Sequence, residues 1–322
     1  MRIGFIGLGN VGGKLAGSIL RNGADLHVRD LDDALVQSFV DHGATAAASP
    51  KALAETCDII VTCLPSPAIC AEVMEAADGV IAGLSAGKIW MEMSTTDERE
   101  IRRLAPLVEA TGATPVECPV SGGCHRAATG NIAIFCGGPR EAFDKALPIL
   151  TMMGRRILHT GPLGSASVLK VVTNYLASIN LVGIGEAFAV ANAAGMDMTT
   201  TYEAIRISSG NSFVHETEGQ VILNGSYDIN FTLDLVQKDM GLFLDVADRA
   251  GLDLEVGPQL LEIFDDAADR YGSRALSPMV VRRLEDQLGT EFRAPGFPPE
   301  MADDEAEAPG YEIVVTQGPG SD

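Results

Sequence analysis

The sequence predicts an α/β N-terminal half built as a doubly wound parallel sheet, then a long helix, then an all-α C-terminal half. Three observations carry this. Up to about residue 160, short β-rich runs alternate with helical stretches, the pattern of βαβ units. The first run leads into a glycine-spaced turn, Gly7-Leu-Gly-Asn-Val-Gly12, that opens a helix. Beyond residue 160 the β-rich runs stop and apolar residues fall at helical spacing. The expected divisions are 1–162, the α/β domain, 163–295, the all-helical domain, and 296–322, an acidic Pro/Gly-rich tail.

In order along the chain, strands are expected at Ile3–Ile6, Asp25–Val28, Asp58–Leu64, Lys88–Met93, Thr114–Glu117, Ile132–Cys136 and Arg156–His159. Helices are expected at Lys14–Asn22 and Asp33–His42 between the first of these. From Ala166 to Gly195 the only charges are Lys170 and Glu186, and there is no proline. That composition supports one helix about 45 Å long at 1.5 Å per residue, apolar enough to be buried nearly all round. Helical spacing recurs at Thr200–Ser208, Thr232–Ala250, Gly257–Tyr271 and Met279–Leu288. From Gly296 onward the chain carries Asp303-Asp304-Glu305 and Glu307 and no Lys or Arg. This reads as a flexible tail, or, through Glu312–Thr316, as a strand added at a sheet edge or to a neighbouring subunit.

Composition narrows the function. The chain has 322 residues with 46% apolar residues, which excludes disorder as the main description. Its net charge of −21 repels a polyanion, so no nucleic-acid partner is expected. The uncharged run Val171–Gly185 is shorter than the ~20 residues a bilayer span needs, and MRIGFIGLG lacks the long apolar region of a secretion signal. No membrane association is expected, and the protein is placed in the cytoplasm. Six cysteines without a CxxC pair suit buried thiols in a reducing compartment. Five scattered histidines indicate no metal site.

In the first turn, Gly7 permits the tight bend, Gly9 lets a pyrophosphate approach the backbone, and Gly12 lets helix and strand pack closely. The helix start presents unpaired N–H groups and a positive dipole end to the phosphates. Leu8, Asn10 and Val11 complete the loop. Asp30 ends the next strand, 18 residues after Gly12, where a carboxylate accepts ribose hydroxyls and repels a 2′-phosphate. NAD is therefore favoured over NADP. Arg29 keeps NADP open, although strand alternation points its side chain away from that of Asp30. Leu64 and Pro65, by their backbones, and Thr95, by its hydroxyl, are further cofactor candidates at C-terminal strand ends.

Pro119-Val-Ser-Gly-Gly123 is a glycine-rich turn after a strand. It is either a plain loop or a cradle in which backbone N–H groups and the Ser121 hydroxyl hold a carboxylate, with Gly122 and Gly123 supplying the bare backbone. Lys170 is a lone ammonium early in an apolar helix; it either snorkels to water or is desolvated in a site where it moves a proton. Asn174 lies one turn further on the same face. Lys238, one of six lysines, sits in a helical segment as a solvated residue or as part of the same chemistry.

Four ordered signatures together resemble the β-hydroxyacid dehydrogenase family, whose members include 3-hydroxyisobutyrate dehydrogenase and tartronate semialdehyde reductase. They are GFIGLGNVG at the start, PVSGG continuing to Gly130, Gly161-Pro-Leu-Gly164 leading to Lys170 and Asn174, and Gln237-Lys-Asp-Met-Gly-Leu242, with Phe231 before the last. The resemblance spans Met1 to about Leu288. It implies a Rossmann domain joined by a long helix to an all-helical domain through which homodimers or homotetramers form. It also implies Lys170 as the catalytic lysine and Ser121, Gly122 and Gly123 as the carboxylate loop. Asn174 would orient substrate, and Lys238 would contact nicotinamide and substrate. Two departures bear on specificity. Asp30-Leu31-Asp32 stands where many members carry an Asn-Arg-Thr run suited to NADP, and Cys124-His125-Arg126 stands where many carry small residues.

The function so implied is NAD-dependent oxidation of a small β-hydroxy acid, 3-hydroxyisobutyrate-like, to its semialdehyde or keto acid, or the reverse, with Lys170 as general acid/base. His125 or Arg126 would meet a second polar or anionic group on the substrate. The alternatives are a reductase of a related semialdehyde or diacid such as a 2-hydroxymethyl dicarboxylate, and a non-catalytic NAD-binding scaffold. A phosphogluconate-type enzyme would need a longer chain, and imine reductases usually lack the lysine.

Overall fold

The computed structural model describes residues 1–315. The chain forms two compact units, one of residues 1–170 with 303–315, the other of residues 171–302.

Unit 1 starts with β1 (Arg2–Ile6), α1 (Gly12–Arg21), β2 (Asp25–Arg29), α2 (Asp33–Asp41), β3 (Thr45–Ala46), α3 (Pro50–Thr56) and β4 (Ile59–Thr62). It continues with α4 (Pro67–Glu75), β5 (Ile89–Glu92), α5 (Glu98–Glu109), β6 (Thr114–Glu117), β7 (Val120–Ser121), α6 (Gly123–Thr129), β8 (Ile132–Gly137), α7 (Arg140–Met153) and β9 (Gly154–Gly161). Helix starts follow local chemistry. Asp32, Ser49, Ser66 and Asp97 each cap a helix by accepting N–H groups of its first turn.

The strands form one sheet in the order β9-β8-β6-β5-β4-β1-β2-β3, with β7 on β8. From β2 to β6 each neighbouring pair is parallel. Both faces are covered, so successive residues of one strand enter different cores. Ile59, Val61, Ile89 and Met91 join Leu15, Ile19 and Ile149 on one side; Ile60 and Trp90 join Leu53, Leu104 and Val108 on the other. One departure from an all-parallel sheet is β8, which runs antiparallel to β6 and β7. The link from β6 to β8 holds β7 and the short α6, and β7 itself pairs antiparallel with β8.

Helix α8 (Ser165–Ala193) begins in unit 1 and continues into unit 2. By length and composition it could cross a bilayer, with a mean hydropathy of 1.4, which the shorter run Val171–Gly185 did not suggest. Its Leu181, Ile184 and Phe188 are nonetheless core residues of unit 2. That unit adds α9 (Met198–Arg206), α10 (Phe213–Glu216), α11 (Glu218–Asn224), α12 (Leu233–Arg249), α13 (Val256–Tyr271) and α14 (Arg282–Leu288). The continuous helix expected over Met279–Leu288 is instead a 3-10 turn, Ser277–Val280, followed by α14; Pro278 sits at the start of that turn.

The acidic segment differs from a free tail. Tyr311–Glu312 forms β10, parallel to β9 in register Tyr311↔Arg156 and Glu312↔Ile157, at the edge of the chain's own sheet. The Arg140 guanidinium donates to both Glu312 carboxylate oxygens at 2.6 and 2.9 Å, which holds the Glu312 carboxyl below its usual range. Thr316, the end of the expected strand, lies outside the described residues.

Candidate active site

Strand order turns at β1, which has β4 on one side and β2 on the other, so the carboxyl ends of these strands open a crevice where open α/β sheets bind ligands. The glycine turn lies there. Gly7 has φ +97°, and a Cβ on it would stand 2.2 Å from the Cys63 carbonyl oxygen. A Cβ on Gly12 would stand 2.1 Å from the Gly7 carbonyl oxygen. These two positions therefore require glycine by sterics. Gly9 is different: nothing lies within 4 Å of where its Cβ would be, and Gly9 and Asn10 are exposed while Leu8 is buried and Val11 half-buried. Open backbone at the start of α1 is the surface that a pyrophosphate needs, so the residues present fit a dinucleotide.

Asp30, just past β2, accepts the Leu8 N–H at 2.6 Å on one carboxylate oxygen and the Asp32 N–H at 2.9 Å on the other. It thus shapes the glycine turn, and a carboxylate has acceptor capacity left for ribose hydroxyls. Arg29 does not simply point away. Its guanidinium curls back to donate to the Asp30 carbonyl, because a long flexible stem overrides strand alternation.

The loops after β4 and β5 are joined. The Leu64 N–H donates to Ser94 Oγ at 2.7 Å, and the Ser94 N–H donates to buried Glu92 at 2.6 Å. Glu92 also accepts from Thr62 Oγ1 at 2.7 Å and Cys70 Sγ at 2.8 Å, and burial pushes its carboxyl up despite these bonds. With its N–H engaged, Leu64 retains its carbonyl for a ligand, and Pro65 has no N–H. Thr95 is half-buried. Sequence reading passed over its neighbour: Thr96 Oγ1 is buried with no hydrogen-bond partner among the described residues. A buried hydroxyl without a partner is costly unless a ligand or water meets it. Ser94-Thr95-Thr96 was visible as a tripeptide, but nothing in it distinguishes one threonine from the other.

The PVSGG segment splits into β7, paired antiparallel with β8 at Val120↔Ile134 and Ser121↔Ala133, and the turn into α6. Gly122 and Gly123 have φ +128° and +85°, so only glycine makes this turn without strain. The Arg126 stem lies beside Gly122, and the His125 ring beside Gly123, 2.8 Å from where a Cβ would sit. Burial, then the Arg126 charge, lowers the His125 pKa.

Glu117, the last residue of β6, is fully buried and reaches the start of α8. Its carboxylate accepts the N–H groups of Gly164, Ala166 and Ser167 at 2.6, 2.9 and 3.1 Å, and the Ser167 hydroxyl as well. Burial pushes its carboxyl up against those bonds. Lys170 follows one turn later on α8 and is 8% exposed, which removes the reading of a side chain lying in water. In unit 2, Asn174 Nδ2 donates to the buried Asp239 carboxylate, and Lys238 Nζ lies 3.1 Å from the same group. Asp239 thus joins two residues that sequence reading had singled out; its signal was its place beside Lys238. Among the described residues no group of three or more His, Cys, Asp or Glu could hold a metal.

Comparison with known proteins gives the family. Residues 2–161 match the NAD-binding domain family of 6-phosphogluconate dehydrogenase. Residues 164–283 match the NAD-binding family of NADP-dependent 3-hydroxyisobutyrate dehydrogenase. The chain is 32% identical to 2-(hydroxymethyl)glutarate dehydrogenase of Eubacterium barkeri, over 82% of this chain and 88% of that one. It is likewise 32% identical to NAD-dependent L-serine dehydrogenase of Pseudomonas aeruginosa, over 82% and 91%. The crystal structure of a 3-hydroxyisobutyrate dehydrogenase from Salmonella typhimurium superposes with a TM-score of 0.80 at 27% identity, covering 88% of this chain and 99% of that one. With a dinucleotide turn, a glycine-rich loop and a buried lysine in one chain, and relatives of this identity and span, the chain belongs to the β-hydroxyacid dehydrogenase family, as an NAD(P)-binding oxidoreductase acting on CH–OH groups.

Proposed function

We propose that the protein oxidises a small β-hydroxy acid, 3-hydroxyisobutyrate-like, with NAD in preference to NADP, or runs the reverse reduction. The observation that carries the reading is Lys170: a buried ammonium early in α8, one turn after the Glu117 anchor. When bound, the nicotinamide supplies the hydride acceptor or donor for the carbon bearing the hydroxyl. Lys170 takes the hydroxyl proton in oxidation, returns it in reduction, and stabilises negative charge on that oxygen. Ser121 and the bare backbone of Gly122 and Gly123 hold the substrate carboxylate, so the distance from carboxylate to reacting carbon selects β- over α-hydroxy acids. Asn174, four residues beyond Lys170, orients the substrate, and Lys238, held with it by Asp239, contacts substrate and nicotinamide.

NAD preference rests on Asp30, whose carboxylate opposes a 2′-phosphate. Leu8, Asn10, Val11, Leu64, Pro65 and Thr95 line the same dinucleotide site. A diacid is the second reading, favoured by Arg126 and His125 flanking Gly122 and Gly123. A cytoplasmic homodimer or homotetramer through the helical domain is proposed too, supported by Leu176 and Val190, which stand exposed on α8. Incubation with NAD and a panel of 3-hydroxy acids and 2-hydroxymethyl diacids tests the function. NADH absorbance with one of them is the expected result; none with any acid would favour a non-catalytic scaffold.

A further inference from the structure

The segment after Ala302 lies beyond the matched families, which end at residue 283, yet it is built into unit 1. Asp303 accepts from the Thr129 hydroxyl and, at 2.7 Å, from Asn131 Nδ2; the same Asn131 amide donates to the Glu305 carbonyl at 2.7 Å. Arg156 donates to both Glu305 carboxylate oxygens, at 3.2 and 3.1 Å. Arg155 donates to the Pro309 carbonyl at 2.7 Å, the Gly310 N–H donates to Thr151 at 3.1 Å, and β10 closes on β9. Glu307 lies 3.5 Å from the Arg21 guanidinium, which itself donates to the Ala128 carbonyl.

The Asp303 contacts, and that of Arg21 with Ala128, lie at one end of α6, while those of Arg155, Arg156, Gly310 and β10 hold the segment to α7 and β9. Helix α6 has seven residues and carries glycines of positive φ at both ends, Gly122 before it, Gly123 as its first residue and Gly130 after it. So short a helix has little stability of its own, and its orientation is set by what holds its ends. One end is the glycine-rich loop; the other is Thr129-Gly130-Asn131, which Asp303 grips. Burial disfavours charge on Asp303, but its bonds from Thr129, Asn131 and the Glu305 N–H, together with the Arg126 charge, outweigh it and hold the carboxyl below its usual range.

We propose that the C-terminal segment Asp303–Glu312 is a strap belonging to the substrate site of unit 1, and that Asp303 is a positioning residue that fixes α6 and thereby the Ser121–Gly123 loop. The proposal rests on the assignment of that loop to the substrate carboxylate. In the full chain, Asp303→Ala and the double variant with Glu305→Ala raise KM for the hydroxy acid about tenfold while kcat and NADH affinity stay within about twofold. Asp303→Asn, which keeps an acceptor oxygen, recovers part of the loss. Hydrogen–deuterium exchange of the free protein reads the strap without any assumption about activity: residues 121–131 exchange faster in Asp303→Ala. If no acid is turned over by the parent, the exchange result still decides whether the strap holds α6. Unchanged exchange in that segment, or an unchanged KM in both variants of an active enzyme, overturns the proposal. Should Asp303→Ala not fold, Asp303→Asn carries both measurements.

Discussion

Glu117 and Ser167 meet through two hydrogen bonds, the Ser167 N–H at 3.1 Å and its hydroxyl, so the strand that leads into the glycine-rich loop also caps the helix that carries Lys170. Glu117→Ala leaves three helix-start N–H groups and a hydroxyl without their acceptor in a buried place. A loss of about 2–3 kcal/mol is expected, read by urea unfolding. Because Lys170 is one turn away, kcat falls at least about tenfold with NADH binding retained. Ser167→Ala, which removes one donor and leaves the backbone bonds, costs only about 1 kcal/mol.

Asp30 holds the glycine turn through the Leu8 N–H and, in the proposed reading, opposes a 2′-phosphate. Asp30→Ala frees the Leu8 and Asp32 N–H groups together with the ribose contacts, so NADH affinity drops about tenfold to a hundredfold, and the gap between NADH and NADPH narrows. Fluorescence titration with both cofactors measures this. A parent enzyme that binds NADPH more tightly would place Arg29, not Asp30, in control.

Asp239 is the residue through which Asn174 and Lys238 are held. Asp239→Ala removes the acceptor of Asn174 Nδ2 and the counter-charge of Lys238, and kcat/KM for the acid falls about a hundredfold. Asp239→Asn keeps a carbonyl oxygen for Asn174 and is milder. Equal kinetics for Ala, Asn and parent would show that the pairing has no part in the chemistry.

Glu218, in the first turn of α11, has its carboxyl pushed up to about 7 by burial, against a hydrogen bond from Thr217. The folded state binds this proton more tightly than the unfolded chain does. The stability it contributes is therefore fully present below the unfolded carboxyl pKa of about 4.3, declines as pH rises toward 7, and is absent above that. Glu218→Gln flattens this slope and raises stability at pH 8 by on the order of 1 kcal/mol. Calorimetry between pH 4.5 and 8 checks it, and a mutant that keeps the parent's slope contradicts the assignment.

The fold was legible where period and punctuation agree. Ile3–Ile6, Thr114–Glu117 and Ile132–Cys136 differ from the observed strands by at most a residue at either end, and the long helix ends two residues before Gly195. Glycines marked the dinucleotide turn because sterics admit nothing else at Gly7 and Gly12. What stayed hidden is long-range. Glu117 and Ser167 are 50 residues apart, Asn174 and Asp239 are 65 apart, and Asp303 and Asn131 are 172 apart, and no local pattern encodes which partners meet. The acidic segment was read as a flexible tail or an edge strand, and the strand reading holds at Glu312; what stayed hidden is that its acids find Arg140, Arg155 and Arg156, all far away in sequence, only in the folded sheet.

The most direct test of the chemistry is single-turnover NADH formation by Lys170→Ala, measured beside its NADH affinity, with the acid that the parent oxidises. Loss of the proton carrier slows the reaction by about a thousandfold or more while the dissociation constant for NADH stays within about twofold. Formation of NADH at a rate within about tenfold of the parent would contradict proton transfer by Lys170.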